Sequence, residues 1–321
     1  MSVTLTPPTR PPRNKLLHGL RSLLVLSILA VCVSLTIRVF DWHAVGIALS
    51  HMRIDVLVMG ELPLFTLIFA MRGWRWLIVL GIRPTRRRFG YSFCANGVSA
   101  GLAALTPFQL GEAIKIRMIP DRHGSAWPLG VSAFFTERML DLCGMVGMGL
   151  YGLLSHLGWS RLAPFTILLP LLAGIVLALF SNHADRLPQR LQPYTEALRD
   201  APRIIRASML TVATWLAYAG TWWVVAHAMN LVLSFAQISL LLGGVMLAVV
   251  ASMTPGGLGV SELSSRGIML WLGSSIATAD ATAIAIRVLT PIIAIAGMAC
   301  LLPLWRHSRH TQRHPPVADE T

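Results

Sequence analysis

Apolar runs recur from Leu23 almost to the C-terminus of this 321-residue chain. At about 17 to 25 residues each, they are long enough to cross a hydrocarbon core roughly 30 Å thick as helices. That repetition excludes an ordinary soluble domain, whose water-facing surface needs roughly a quarter of its residues charged. Only 13% are charged here, and 55% are apolar. The longest polar stretch, Asn182 to Ala207, is too short for a soluble catalytic domain. The expected class is an all-α polytopic membrane protein of about six full spans plus two re-entrant helical hairpins.

The net charge of +13 does not point to nucleic acid, because the basic residues sit in short clusters beside apolar runs. That is the pattern of topology signals and anionic-lipid contacts. The four cysteines, Cys32, Cys94, Cys143 and Cys300, lie in apolar segments without metal-ligand spacing. They predict neither a metal nor a disulfide, and no cofactor is expected.

Residues 1–18 read as a basic, Pro-rich tail, 19–305 as a single membrane domain and 306–321 as a second tail. A first span follows Arg21, and a second runs from Asp55 to Leu80 and ends in the basic cluster Arg72, Arg75, Arg83, Arg86, Arg87 and Arg88. Next comes a broken unit, Tyr91 to Leu105, with its corner at Thr106-Pro107. Long helices are expected over Trp127 to Leu157 and Ala163 to Phe180, then an amphipathic surface connector over 182–207. Met209 to Val232 spans again. A second broken unit, Ile238 to Leu272, has its corner at Thr254-Pro255-Gly256-Gly257, and Ala281 to Trp305 forms the last span. Lys and Arg concentrate on the cytoplasmic side, which places both tails, the Arg83–Arg88 loop and the connector there. The two broken units then have to be hairpins entering from opposite faces.

The two corners also resemble each other in sequence. Thr106-Pro107-Phe108-Gln109-Leu110-Gly111 aligns with Thr254-Pro255-Gly256-Gly257-Leu258-Gly259 at an offset of 148. Glu112 and Glu262 are 150 apart, and Arg138 and Arg287 are 149 apart. A duplication is expected, with halves at about 20–160 and 163–305. Inverted repeats with interrupted helices at matching positions point to a transport site near the bilayer midplane.

Charge inside a bilayer is costly, so intramembrane ionisable residues face a cavity or one another. The candidate substrate-binding set is Arg117, Glu112, Arg138, Glu137, Asp141, Glu262, Arg266 and Arg287, with backbone breaks at Pro107, Gly111, Pro255, Gly256, Gly257 and Gly259. The arginines supply a planar donor fork for a lipid phosphate. The carboxylates neutralise them when the site is empty, or hold a cationic head group. Structural ion pairing between helices is the competing explanation. Glu61 stands in a span without an assigned partner and is a further cavity candidate. Hydrolase, metalloprotease and phosphate-loop signatures are missing, so no enzyme is expected.

Several of these elements together resemble the lysylphosphatidylglycerol synthase transmembrane-region family. They are Arg75-Trp76-Leu77, Pro107-Phe108-Gln109-Leu110-Gly111-Glu112 with Arg117, Glu137-Arg138-Met139-Leu140-Asp141 and Pro255-Gly256-Gly257-Leu258-Gly259-Val260-Ser261-Glu262. The resemblance implies a lipid flippase domain without the fused aminoacyl-transferase. It implies a multi-pass protein of the bacterial inner membrane that moves an anionic or aminoacylated lipid between leaflets by alternating access, with membrane lipids and a lipid-biosynthesis enzyme as partners. Phe108-Gln109 departs from the family pattern, where Gly or Arg often precedes Leu-Gly-Glu. An intramembrane lipid-modifying enzyme using Glu137 and Asp141 as acid and base, and a non-catalytic partner of an envelope enzyme, are the alternatives. Cargo and oligomeric state are not legible.

Overall fold

In the computed structural model the described residues are 34–106, 111–117, 126–181, 192–252 and 254–302, with the single positions 27, 31 and 304. The predicted first span and the corner residue Pro107 therefore fall mostly or wholly outside them. Regular structure among these residues is entirely helical. The helices are α1 (Trp42–Ser50), α2 (Ile54–Val79), α3 (Arg86–Ala103), α4 (Ile114–Arg117), α5 (Ala126–His156), α6 (Ala163–Thr166), α7 (Leu169–Ser181), α8 (Ala201–Ala228), α9 (Phe235–Ser252), α10 (Val260–Trp271) and α11 (Ile276–Ala299). Four of them, α2, α8, α9 and α11, are long and apolar enough to cross a membrane. The 31 residues of α5 would extend about 46 Å at the usual helical rise.

The distribution of side chains is inverted relative to a soluble protein. Met59, Leu62, Phe180 and Ile295 are 70–78% exposed, whereas Arg75, Lys115 and Glu137 are fully buried. An apolar exterior around a charged interior is stable in hydrocarbon, where exposed Leu costs nothing and exposed charge costs several kcal/mol.

Helix starts follow local chemistry. Thr85 accepts from the Arg88 N–H at 3.3 Å to cap α3, and Ser275 accepts from Thr278 N–H at 3.2 Å to cap α11. Asp200 accepts from Arg203 N–H at 3.2 Å and opens α8. That cap corrects the predicted surface connector: its last seven residues, 201–207, are the first two turns of α8, because an N-cap followed by Pro202 is a strong helix start. The predicted helix over Ala163 to Phe180 is two pieces, α6 and α7, divided just before Pro170, which has no N–H to continue the ladder.

Helices α2, α3, α4 and α5 begin at residues 54, 86, 114 and 126, and α8, α9, α10 and α11 begin at 201, 235, 260 and 276, so each start is displaced by 146 to 150 residues. Contacts cross between the two series. Helix α2 lies along α8, α3 along α11, and α5 along α9. The last two seams are closed by glycine: a Cβ on Gly243 would overlap the backbone of Gly149, and one on Gly297 would overlap that of Gly97 and Gly101. Small residues that let helix backbones touch are the usual means of association within a bilayer.

In both series the chain doubles back after its second helix. Gly111 packs against Leu102 and Ala103 at the end of α3, while Gly257 packs against Val249 in α9 and Ile268 of α10 faces Gly244. The α9–α10 hairpin starts and finishes at one place. Phe235 meets Tyr151 edge-on (5.2 Å between ring centroids) and Trp271 meets His156 at a tilt (4.4 Å), both at the C-terminal end of α5. Helix α3 starts instead beside the C-terminal end of α2, where Phe89 meets Trp74 at 5.6 Å.

Candidate functional site

Arg75 is the centre of a buried charge cluster joining α2, α4, α5 and α8. Its Nε donates to Glu137 Oε1 at 3.0 Å, and its two terminal nitrogens donate to Asp141 Oδ1 and Oδ2 at 2.7 and 3.0 Å. Nη1 also donates to Thr211 Oγ1 at 2.9 Å. This two-pronged grip on Asp141 needs a planar fork, which Arg has and Lys lacks. Lys115 donates to Glu137 Oε2 and lies 4.5 Å from the Trp76 ring centroid. Glu137 and Asp141 reach the same guanidinium because they are one turn apart on α5.

A second layer lies beside the first. Arg72, one turn before Arg75, donates to Glu112 Oε1 at 2.7 Å and to the Tyr218 hydroxyl at 2.9 Å. Arg138 donates to Asp141 Oδ2 at 2.7 Å. It also forms an ion pair with Glu112 Oε2 at 2.5 Å, without the alignment of a hydrogen bond, so that oxygen is left without a donor.

This layer forms one wall of a cavity of about 180 Å³. Arg72, Glu112, Arg138 and Asp141 face it on one side, and Arg287, Ser261, Thr254, Gly256 and Gly257 on the other. Phe65, Trp215, Trp222, Leu242, Met246, Val249 and Ile293 supply apolar walls. Arg287 donates to the Gly256 carbonyl at 2.7 Å and pairs with Glu262 at 3.3 Å. Gly256 has φ +56°, a conformation in which a side chain is strained, and a Cβ there would overlap the Ala104 carbonyl oxygen. The turns ending the two hairpins thus meet at the cavity.

Of the predicted residues, Glu112, Arg138, Asp141, Arg287, Gly256 and Gly257 line the cavity. Glu262 sits behind Arg287, and Glu137 is locked behind the wall between Arg75 and Lys115. Gly111 donates its N–H to Thr106 Oγ1 at 2.8 Å and holds the first turn together. Pro255 opens the second turn and Gly259 precedes α10 with φ +78°. Arg266 is placed elsewhere: its Nε donates to Asp280 Oδ1 at 2.6 Å, and Asp280 Oδ2 accepts from the Asp41 N–H at 2.9 Å. That group ties the segment before α1 to α11, outside the cavity lining. Pro107 lies outside the described residues, as does the side chain of Arg117.

The sequence reading missed Arg72, Arg75, Lys115 and Asp280 as site or pairing residues. Arg72 and Arg75 looked like the start of a basic cytoplasmic cluster. The available signal was their depth, four and seven residues inside the end of α2 at Val79, with i, i+3 spacing that puts both on one face.

A family model described as Lysylphosphatidylglycerol synthase TM region matches residues 22–297. The chain belongs to that family. Membership agrees with the apolar helices and places the protein among multi-pass membrane proteins with a lipid-related role. No match was found among curated proteins or among solved structures.

Proposed function

We propose that the chain is a lipid translocator that holds an anionic or aminoacylated phospholipid head group in the central cavity and exposes it alternately to each leaflet. One observation carries this. Among the described side chains, the buried nitrogens without an acceptor are Arg72 Nε, Arg138 Nε and Trp215 Nε1, and all three residues line the cavity. A buried donor left unpaired is costly. Three guanidinium groups, those of Arg72, Arg138 and Arg287, line the same space, and together they favour a guest rich in acceptor oxygens, such as a phosphate. The apolar walls suit the first carbons of acyl chains, and Arg287 of α11, bonded to the turn of the α9–α10 hairpin, faces the phosphate from the opposite side.

On this reading the two hairpins are re-entrant, enter from opposite faces of a bacterial inner membrane and meet near its midplane as halves of an inverted repeat. Both termini are cytoplasmic by the distribution of Lys and Arg. The described parts of the two turns, 104–106, 111–113 and 254–259, hold irregular backbone, which at that depth is tolerable where it lines a cavity. The binding set is Arg72, Glu112, Arg138, Asp141 and Arg287, with Glu262 as counter-ion to Arg287 and Glu137 as a structural anchor. A chemical step is not part of this function. Glu137 has no exposed surface and is held by two cations, a poor setting for a general acid or base.

The test is leaflet exchange in vesicles containing the purified full chain and a trace of head-group-fluorescent phosphatidylglycerol, bleached by an impermeant reductant. Wild type is expected to make the inner-leaflet probe reachable. Arg138→Gln and Arg287→Gln are expected to abolish this while inserting normally. Equal bleaching with and without protein, or unimpaired exchange by both variants, rejects the proposal.

A further inference from the structure

Glu61 has no place in the charge clusters described above. It is 2% exposed, and neither of its carboxyl oxygens has a hydrogen-bond partner. It lies within α2, seven residues from its start, and shares a face with Phe65, Ile68 and Arg72, at i, i+4, i+7 and i+11, all buried. That stripe leads to the cavity, since Phe65 and Arg72 both line it. Along the stripe Glu61 is about 16 Å from Arg72, toward the end of α2 opposite the Arg83–Arg88 loop.

Among the described residues, the helices packed on α2 offer no cation at this level. Helix α2 runs antiparallel to α8, with Gly60 against Val224 and Leu64 against Gly220. In that part of α8 the titratable residue is His227, which is exposed and stacked on Trp223 at 5.1 Å. Arg203 of α8 lies at the far end, beside Gly81, with Arg206 in the same first turns and Tyr218 held by Arg72. On α3 the titratable groups are Arg86, Arg87, Arg88, Tyr91 and Cys94, near the end that meets Trp74. On α5, Glu137, Arg138 and Asp141 meet α2 only around Arg72 and Arg75, and Cys143, Tyr151 and His156 follow them. Arg53 and Asp55, at the start of α2, pair with each other in the open. Among the described residues no group of His, Cys, Asp and Glu could share a metal ion with Glu61.

We infer that Glu61 is a proton-binding site of the transport cycle, protonated in this conformation and emptied when its end of the molecule opens to water. An ionised carboxylate sealed in an apolar helix face with no donor is strongly disfavoured, whereas the neutral acid is tolerated. When α2 and α8 part at this end, water enters and the acid gives its proton to that water. The carboxylate has to be protonated again before the face can reseal. This inference rests on the translocator reading, and it links resealing of one end, and therefore the return of the cavity, to proton uptake.

A hydrophobic carbodiimide, which attacks only protonated carboxyls, tests the first part without transport. The full chain in vesicles is labelled between pH 5 and 9 and the modified residues are found by mass spectrometry. Glu61 is expected to be labelled well above the paired Glu112 and Glu262. Its labelling should fall as pH rises, about tenfold per unit once the acid titrates. Labelling no stronger than at the paired carboxylates at every pH overturns the inference. The second part uses the leaflet assay with an imposed pH gradient. Wild-type exchange should change with the gradient and Glu61→Gln exchange should not, and a gradient-blind wild type overturns the coupling. If neither protein moves lipid, the translocator function and its coupling both fall, and the labelling still decides whether Glu61 carries a proton.

Discussion

Replacing Arg75 by Ala tests whether the interior of this protein is held by a buried guanidinium that makes four hydrogen bonds. The change removes four hydrogen bonds of 2.7 to 3.0 Å, three of them to carboxylates. Summed at about 1.5 to 3 kcal/mol for each bond to a charged group, the carboxylate bonds alone would overstate the loss, because bonds to one guanidinium are not independent. The better guide is the cost of removing one member of a buried ion pair, about 3 to 5 kcal/mol. The low end applies here, since Glu137 keeps Lys115 and Asp141 keeps Arg138. We therefore expect Arg75→Ala to lower stability by about 3 kcal/mol, and Arg75→Lys by roughly half as much, because the charge survives and the fork does not. Denaturation in mixed micelles followed by far-ultraviolet circular dichroism measures both. A double-mutant cycle with Asp141→Asn should show a coupling above about 1 kcal/mol. An Arg75→Ala protein within about 0.5 kcal/mol of wild type, the usual range for a surface change, would refute the reasoning.

Three further changes probe other parts of the structure. Gly256→Ala puts a Cβ at φ +56° against the Ala104 carbonyl, so a loss of at least about 1 to 2 kcal/mol from the left-handed backbone should accompany weaker binding of anionic detergent or lipid, read by thermal shift. Gly243→Ala and Gly297→Ala each force backbones apart at a glycine seam; about 1 to 3 kcal/mol each is expected from overpacking, and unchanged melting of both would deny the close contacts. Asp200→Ala removes the cap of α8 and the 2.5 Å pair with Arg203, for which about 1 kcal/mol and earlier proteolysis near residue 200 are the expected signs.

Much of the architecture was legible because the bilayer writes length into sequence. The α2 span was placed within a residue at each end, and the breaks after Leu105 and Met253 fell where α3 and α9 stop, since Pro and Gly punctuate a helix in any solvent. The approximate 148-residue offset between the corners reappears in the helix starts. Side-chain partnerships were less legible. Glu137 and Asp141 were visible as neighbours one turn apart on a single helix, but their principal partner, Arg75, is more than 60 residues away. It resembled the topology arginines that follow it. Arg266 and Glu262 occupy similar places after the second corner, yet Arg266 turns to Asp280 and Glu262 to Arg287. One helical step decides between cavity and scaffold, and a short hydrophobic pattern does not register that step.

The crossed contacts of the two helix series have a topological consequence. Because α5 lies along α9 of the later series and α11 along α3 of the earlier one, neither series owns a complete interior. Severing the chain between residues 182 and 191 and expressing only one fragment should leave a partner-seeking orphan. Producing both fragments together should let them interlock and restore the whole, like two hands that grip only each other.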